Sequence, residues 1–442
     1  MTLLHILFLC TGGFVCLFLQ LLVISSLRED QLRAAPVASA LFIIFSLLWF
    51  GSYVVFSPPD TVMIAALIAV VFPAILFFCP IGHNRTLKIT NPGQRFDERD
   101  VVFSREDYEP GTERYDTYYS SRPENKAIDD KLRRLPELLQ PGGHYYDSVV
   151  SSRIDRIFDE IEELTTKVDG NAATPRQQVK PTEMTNIIKQ KVLKLGASDV
   201  GVATLNPAFV YSHVGRGPEQ WGKPIVNNHK YAIVFTMEMD YEAVDAAPGL
   251  PITEESANQY LLGARLSIEL AEHIRSLGYP ARAHIAGSNY QVILPAVAHD
   301  AGLGELGRIG YLISPKLGAR IRLGAVTTDL PLLPNRPISF GVQDFCAKCL
   351  KCATNCPSAA IPDCGETTVR GVDKWPLNPE KCLHYWRAAG SDCGICMKVC
   401  PYSHPPTLVH NLVRAGIRRS SFARTVSVWG DDLFYGRKAF IP

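Results

Sequence analysis

Three long apolar runs open the chain. No Asp, Glu, Lys or Arg occurs in residues 1–27, 34–59 or 61–84. Each run exceeds the ~20 apolar residues that cross a bilayer, so residues 1–84 are expected to form an anchor of three transmembrane helices. No Lys or Arg precedes Arg28, which argues against the basic start of a secretory signal. Arg28 and Arg33 lie in the first loop, and Arg85, Lys88, Arg95 and Arg99 follow the third run, while the N-terminus and the 57–60 turn carry no Lys or Arg. Basic residues mark the cytoplasmic side. The expectation is a multi-pass inner-membrane protein whose large C-terminal part faces the cytoplasm. His5 and His83 lie near the ends of these runs, whose interiors hold no ionisable acid or base. Haem ligation and proton conduction are therefore disfavoured, and contact with lipid or with a membrane electron donor is the simpler use.

The pattern then changes. Residues 85–142 are polar, rich in Arg, Asp, Glu and Tyr, and read as a partly irregular extension. From 151 to 167, Ile154, Ile157, Phe158, Ile161 and Leu164 recur at steps of three and four, the signature of an amphipathic helix. Residues 169–181, DGNAATPRQQVKP, read as a linker. From 182 the order is α/β: a helix over 184–195, strands at 200–205 and 231–237, and a helix opened by Thr253-Glu254-Glu255. Leu261, Ala264, Ile268, Ala271 and Ile274 form its inner face, and Gly278 and Pro280 end it. Further strands are expected at 281–286 and 321–327. Residues 182–341 suffice for one domain, with another from 342 to 442.

Charge is balanced, 45 Lys+Arg against 44 Asp+Glu, so no basic field points to nucleic acid. The twelve cysteines carry the chemistry. Cys346, Cys349, Cys352 and Cys356, with Pro357, form C-x2-C-x2-C-x3-C-P, the run that holds iron–sulfur clusters in ferredoxins. Cys382 stands apart, and Cys393, Cys396 and Cys400, with Pro401, repeat the second half of that pattern. In two-cluster ferredoxins the last cysteine of each run serves the other cluster. One [4Fe–4S] cluster is thus expected on Cys346, Cys349, Cys352 and Cys400, and the other on Cys382, Cys393, Cys396 and Cys356. Structural zinc also uses C-x2-C pairs but rarely this full spacing. Cys10, Cys16 and Cys79 fall in the apolar runs as fillers, and Cys364 is left over. Ten residues separate Cys382 from Cys393, where simple ferredoxins have two, so something is inserted beside the second cluster.

The segments HIRSLGYPA (273–281), AGLGELGRIGYLISP (301–315), TDLPL (328–332), PISFGVQDFCAKCLKCATNCPSAAI (337–361) and KCLHYWRAAGSDCGICMKVCPYSHP (381–405) resemble corrinoid-dependent reductive dehalogenases, in that family's order and spacing. The resemblance covers about residues 182–405. It implies a nitroreductase-like α/β domain holding base-off cobalamin, followed by a ferredoxin-like domain with two [4Fe–4S] clusters. It also implies removal of halogen from an organohalide with a tyrosine as proton donor. Tyr260 occupies the tyrosine's place in the helix leading to HIRSLGY. The family's cation before T-D-L-P-L falls on Arg322. Arg320 is the alternative, because residues two apart in a strand share a face. Asn289 matches a pocket asparagine. Gly302 and Gly304 are expected to let backbone approach the corrinoid, or else to make a helix–strand turn. His284 and His299 read as structural. The absence of D-x-H-x-x-G fits corrinoid bound without a protein ligand.

An electron donor such as a ferredoxin, a flavodoxin or a membrane reductase is implied as partner. Respiratory members resemble exported proteins with a twin-arginine signal, from which this chain departs by carrying its own anchor. The competing readings are an epoxyqueuosine-reductase-like corrinoid enzyme, which is soluble and uses an aspartate donor, and an electron-transfer subunit without a substrate site.

Overall fold

A computed structural model of the chain describes residues 2–89, 93–217, 220–287 and 290–439. Among these residues, contacts group 2–86, 339–351 and 404–439 into one unit and those of 87–338 and 352–403 into another.

In the first unit, helices Leu3–Arg28, Ala34–Phe56 and Asp60–Phe78 are each long and apolar enough to cross a membrane. Asp60 sits in the first turn of the third helix, where the helix dipole favours an acid. Phe8, Trp49 and Met63, one from each helix, pack together. The Trp49 indole N–H donates to the Phe8 carbonyl at 3.0 Å, so the ring's single polar atom is satisfied.

Two amphipathic helices, Leu408–Arg419 and Ser421–Tyr435, belong to the same unit. Val409 packs with Leu22 and Ala38, and the Phe77 ring fills the space a side chain on Gly416 would need. Arg424, fully buried, meets Asp344 at 2.8 Å and Asn84 Oδ1 at 2.6 Å. It thereby ties the helix Val342–Cys349 to its own helix. The contact grouping joins segments from both ends of the chain, whereas the domains expected from sequence follow one another linearly, with bounds at 84, 181 and 341. An amphipathic helix must bury its apolar stripe, and the apolar N-terminal helices supply the partner.

The second unit is built on four strands: β1 (Asp199–Thr204), β2 (Tyr231–Glu238), β3 (Ala281–His284) and β4 (Ile321–Thr328). Their order is β1-β2-β4-β3 and every pairing is antiparallel. The α/β pattern is thus realised as helices layered on an antiparallel sheet. Alternation along β2 divides the core. Ile233, Phe235 and Met237 join Ala264, Ile268, Ala271 and Ile274 of the long helix Leu250–Ser276. Ala232 and Val234 join Val297 and Ala298 of the helix Leu294–Asp300 on the other face. Both faces are covered, which is why β2 reads as a continuous apolar run. The long helix begins three residues before the expected Thr253, with Pro251 in its first turn, a position proline favours.

The amphipathic helix runs Ser148–Glu163 with a 3-10 turn to Lys167, and Ile161 enters the sheet core. The expected linker lies along the end of the long helix, with the amides of Ala173 and Gln177 donating to the carbonyls of Arg275 and Leu277 at 2.9 and 3.0 Å. The extension is ordered too. Helices Glu113–Ser121 and Pro123–Leu132 enclose a cluster of Tyr108, Tyr115, Tyr118 and Tyr119. The Tyr119 hydroxyl donates to Asp129 at 2.8 Å, and buried Arg105 meets the same carboxylate at 3.1 Å. A core of tyrosines and ion pairs carries no aliphatic period, so sequence patterning reads it as irregular.

Arg105 also reaches Glu380 at 2.7 Å, and Arg387 meets Glu106 at 3.2 Å and the carbonyl of Pro136 at 2.9 Å. The extension therefore grips the helix Pro379–Ala389, which carries Cys382. Burial pushes the Glu106 carboxyl up to about 7, Asp107 adding to the shift and Arg387 opposing it. The ionised form thus weakens the fold. The stability available with Glu106 protonated is complete below the ordinary carboxylate value and is lost as pH rises through about 7. Glu106→Gln is expected to stabilise detergent-solubilised protein at pH 8 by at most about 3 kcal/mol, read as a higher thermal midpoint, and to leave the midpoint unchanged at pH 4.5. Equal midpoints for the two proteins at pH 8 would contradict this.

Candidate active site

Arg322 is the centre of the site. It lies near the start of β4, opposite Met237 in the register with β2, and its side chain is only 12% exposed. A buried guanidinium needs partners. Arg322 Nη2 donates to Ser256 Oγ at 2.6 Å and lies 3.6 Å from Asp392 Oδ2, and its Cζ stands 5.2 Å from the centre of the Tyr260 ring. Ser256 and Tyr260 are four apart on the long helix, so both face the strand. Arg322 Nε is buried with no hydrogen-bond partner among the described residues. It is a donor left for a bound group.

Arg320 is a different kind of residue. It precedes β4, so strand alternation does not apply to it. It is almost fully buried and donates to the carbonyls of Ser403 and Met239 at 2.7 and 2.5 Å. Those bonds commit it to holding backbone, while Arg322 faces the tyrosine.

Cys356, Cys382, Cys393 and Cys396 line one cavity, together with Arg322, Asp392 and Tyr311. Burial pushes the Cys382 thiol up to about 11, with Cys356 adding, and the Cys393 thiol up to about 12, with Cys382 and Cys356 adding. Cys396 is raised further by burial and by the other three. Four thiols converging on one space, Cys393 buried and the other three partly so, are the soft donor set of an iron–sulfur cluster, and the residues present fit that group. They are also the four expected from the crossover spacing. Of the other set, Cys346 and Cys349 lie on the helix Val342–Cys349 in the first unit, and Cys352 and Cys400 belong to the second.

The insertion between Cys382 and Cys393 proves to be most of the helix Pro379–Ala389, capped by Gly390 at φ +73°. The Tyr145 amide donates to the Ala389 carbonyl at 2.8 Å. A Cβ on Gly143 would stand 2.5 Å from the Gly390 Cα. This contact delivers Asp392, whose amide donates to Thr253 Oγ1 at 2.9 Å. Burial raises the Asp392 carboxyl, with Arg322 opposing. Tyr311 is held well above the ordinary tyrosine value by burial, with Cys396 and Cys382 adding. Sequence reasoning missed Ser256, Asp392 and Tyr311. The unusual Cys382–Cys393 gap was the one signal pointing to Asp392.

Asn289 lies outside the described residues. Gly302 has φ +74°, and a Cβ there would stand 2.6 Å from the Arg336 carbonyl oxygen; one on Gly304 would strike the Ile313 carbonyl. Both glycines thus have a reason within the chain itself. His284 is buried, with Nε2 2.9 Å from Thr327 Oγ1, in keeping with a structural role.

Residues 345–404 match the 4Fe-4S dicluster domain. Over 300 residues the chain is 33% identical to the tetrachloroethene reductive dehalogenase of Sulfurospirillum multivorans, covering 60% of this chain and 59% of that one. The chain is thus similar to reductive dehalogenases over this length. The tetrachloroethene reductive dehalogenase of Dehalobacter restrictus is 35% identical over 216 residues, covering 46% of this chain and 38% of that one. Among solved structures, the catabolic reductive dehalogenase NpRdhA in complex with 3-bromo-4-hydroxybenzoic acid superposes with a TM-score of 0.65 at 26% identity. That match covers 83% of this chain and 51% of NpRdhA. A further reductive dehalogenase, described for B12-dependent dehalogenation, matches with a TM-score of 0.62 at 26% identity, covering 82% of this chain and 50% of that one. The chain thus spans between 38% and 59% of the length of these relatives.

Gly143→Ala is expected to destabilise the second unit by about 1–3 kcal/mol, since added atoms in a packed contact force the backbone apart. Iron bound per chain should fall in the same variant. A protein with unchanged thermal midpoint and iron content would show that the Gly143–Gly390 approach does not hold the cluster segment.

Proposed function

We propose that this chain is a membrane-anchored reductive dehalogenase. The observation that carries the proposal is one cavity in which four cysteines, Arg322 and Asp392 meet, with Tyr260 against Arg322. Two electrons and one proton convert an organohalide to the hydrogen-substituted product and halide. The cysteines would hold two [4Fe–4S] clusters that pass the electrons inward. Base-off cobalamin, as the likeness to B12-dependent relatives suggests, would supply the reducing chemistry at the carbon–halogen bond. Residues of this chain do the rest. Tyr260 presents a hydroxyl as proton donor, and Arg322 stabilises the charge left on its oxygen. Ser256 and Asp392 fix the guanidinium, and the Arg322 Nε–H is left to donate to an acceptor atom on substrate or corrinoid. Asn289 would complete the pocket, and Gly302 and Gly304 would lie along the corrinoid.

The three apolar helices would place the enzyme in the inner membrane with the second unit in the cytoplasm. A ferredoxin, a flavodoxin or a membrane reductase would then deliver electrons there.

Purified protein reconstituted with iron, sulfide and cobalamin is expected to carry about eight iron and about one cobalt per chain. Iron without cobalt would leave an electron-transfer protein. Tyr260→Phe, with both cofactors retained, should lower turnover of halogenated substrates by about 10²-fold or more. Full turnover in that variant would remove Tyr260 from the proton-transfer role.

A further inference from the structure

A second group of ligand-type side chains lies in the first unit. Glu29 caps the end of the helix Leu3–Arg28 and is 7% exposed. His410 lies in the first turn of the helix Leu408–Arg419 and is also 7% exposed. His404 precedes that helix, and its side chain is 14% exposed. A ligand atom from each of the three lies within 4.8 Å of the other two. His410 Nε2 is 3.0 and 3.2 Å from the two carboxylate oxygens of Glu29. The His404 ring lies parallel to that of His410, with centroids 4.6 Å apart.

The surroundings hold the group in place. Asp431 Oδ1 lies 2.8 Å from His404 Nε2, and its other oxygen takes the ammonium of Lys351. The Tyr435 ring packs on His404, and its hydroxyl reaches His410 Nε2 at 3.4 Å. Arg414 is turned away, onto the carbonyls of His404 and Pro405 and the Asn411 side chain. Among the described residues, the Glu29 carboxylate is paired with His410 and with no lysine or arginine. Burying a carboxylate and two imidazoles is costly unless a strong partner compensates. A carboxylate bound to an imidazole is also the arrangement that orients metal-ligating histidines, and Asp431 makes that contact to His404.

We propose that Glu29, His404 and His410 bind one zinc ion. Two imidazole nitrogens and a carboxylate are a zinc donor set, whereas calcium and magnesium take oxygen ligands. The donor chemistry is unlike the all-thiol sets of the clusters. Binding would release the proton shared between His410 and Glu29. It would fasten the end of the first apolar helix to a helix nearly four hundred residues further along the chain. The ion is a clip within the membrane-associated unit and takes no part in electron transfer.

The test uses full-length, cluster-loaded protein in detergent, dialysed against zinc and then freed of excess metal. About one zinc per chain is expected to remain. X-ray absorption at the zinc edge should show only nitrogen and oxygen neighbours near ~2.0–2.1 Å, with imidazole scattering. Glu29→Gln and His410→Gln should each lose that zinc while iron per chain stays constant. Sulfur neighbours near ~2.3 Å would place the zinc on cysteines and overturn the proposal. So would zinc retained in both variants, or none in the wild type, which would leave a hydrogen-bonded Glu–His pair only. Should the variants fail to fold, the absorption spectrum of the wild-type protein decides alone.

Discussion

A guanidinium buried inside a protein is costly unless charged and hydrogen-bonding partners compensate it. Arg322 is such a group, and the candidate site can be derived from its needs. Its position is fixed by its pairing with Met237 on β2, in a strand that β3 also pairs further along, at 325–328. One partner, Ser256, comes from the helix packed over that strand. Another, Asp392, comes from the segment between cluster cysteines. The Tyr260 ring lies close by. One charge therefore ties the sheet domain and the cluster segment together, and breaking a buried pair of this kind typically costs several kcal/mol. The residues proposed to handle the proton also hold the two parts in register.

The polar extension has a matching role at the other end of the cluster segment. Arg105 and Arg387 cross between it and the helix Pro379–Ala389, and the backbones of Gly143 and Gly390 touch. Side chains at either glycine would push that helix outward and carry Asp392 with it. Arg322 would then face an empty position. The extension is thus part of the site's scaffold, although it contributes no residue to the cavity among those described.

Some of this was legible in the sequence and some was not, for reasons that can be named. The apolar runs, the cysteine spacing and the strands of the sheet follow from simple periods and appear nearly where expected. The extension was illegible because tyrosines and ion pairs build its core, and such a core has no period. The Arg320–Arg322 ambiguity came from treating both as strand residues. The structure ends the strand between them, at Ile321, and gives Arg320 to backbone carbonyls. Ser256 was hidden because a small hydroxyl in a helix usually bonds its own preceding turn, as Ser256 does to the Ile252 carbonyl. Only a partner distant in sequence reveals its second bond.

Asp392 makes the clearest case for how the insertion works. In a bare two-cluster arrangement the chain would pass from Cys382 to Cys393 in a few residues, with no room for an acid between the thiols and the sheet. The inserted helix lengthens the path, Gly390 turns it back through a left-handed residue, and the next two positions are buried against the long helix. The aspartate therefore reaches Arg322 from the cluster segment, while Tyr260 reaches it from the long helix. An electron-transfer protein has no need to place a carboxylate, a guanidinium and a phenol in line beside one set of cluster thiols. A site that must deliver electrons and a proton to the same molecule does.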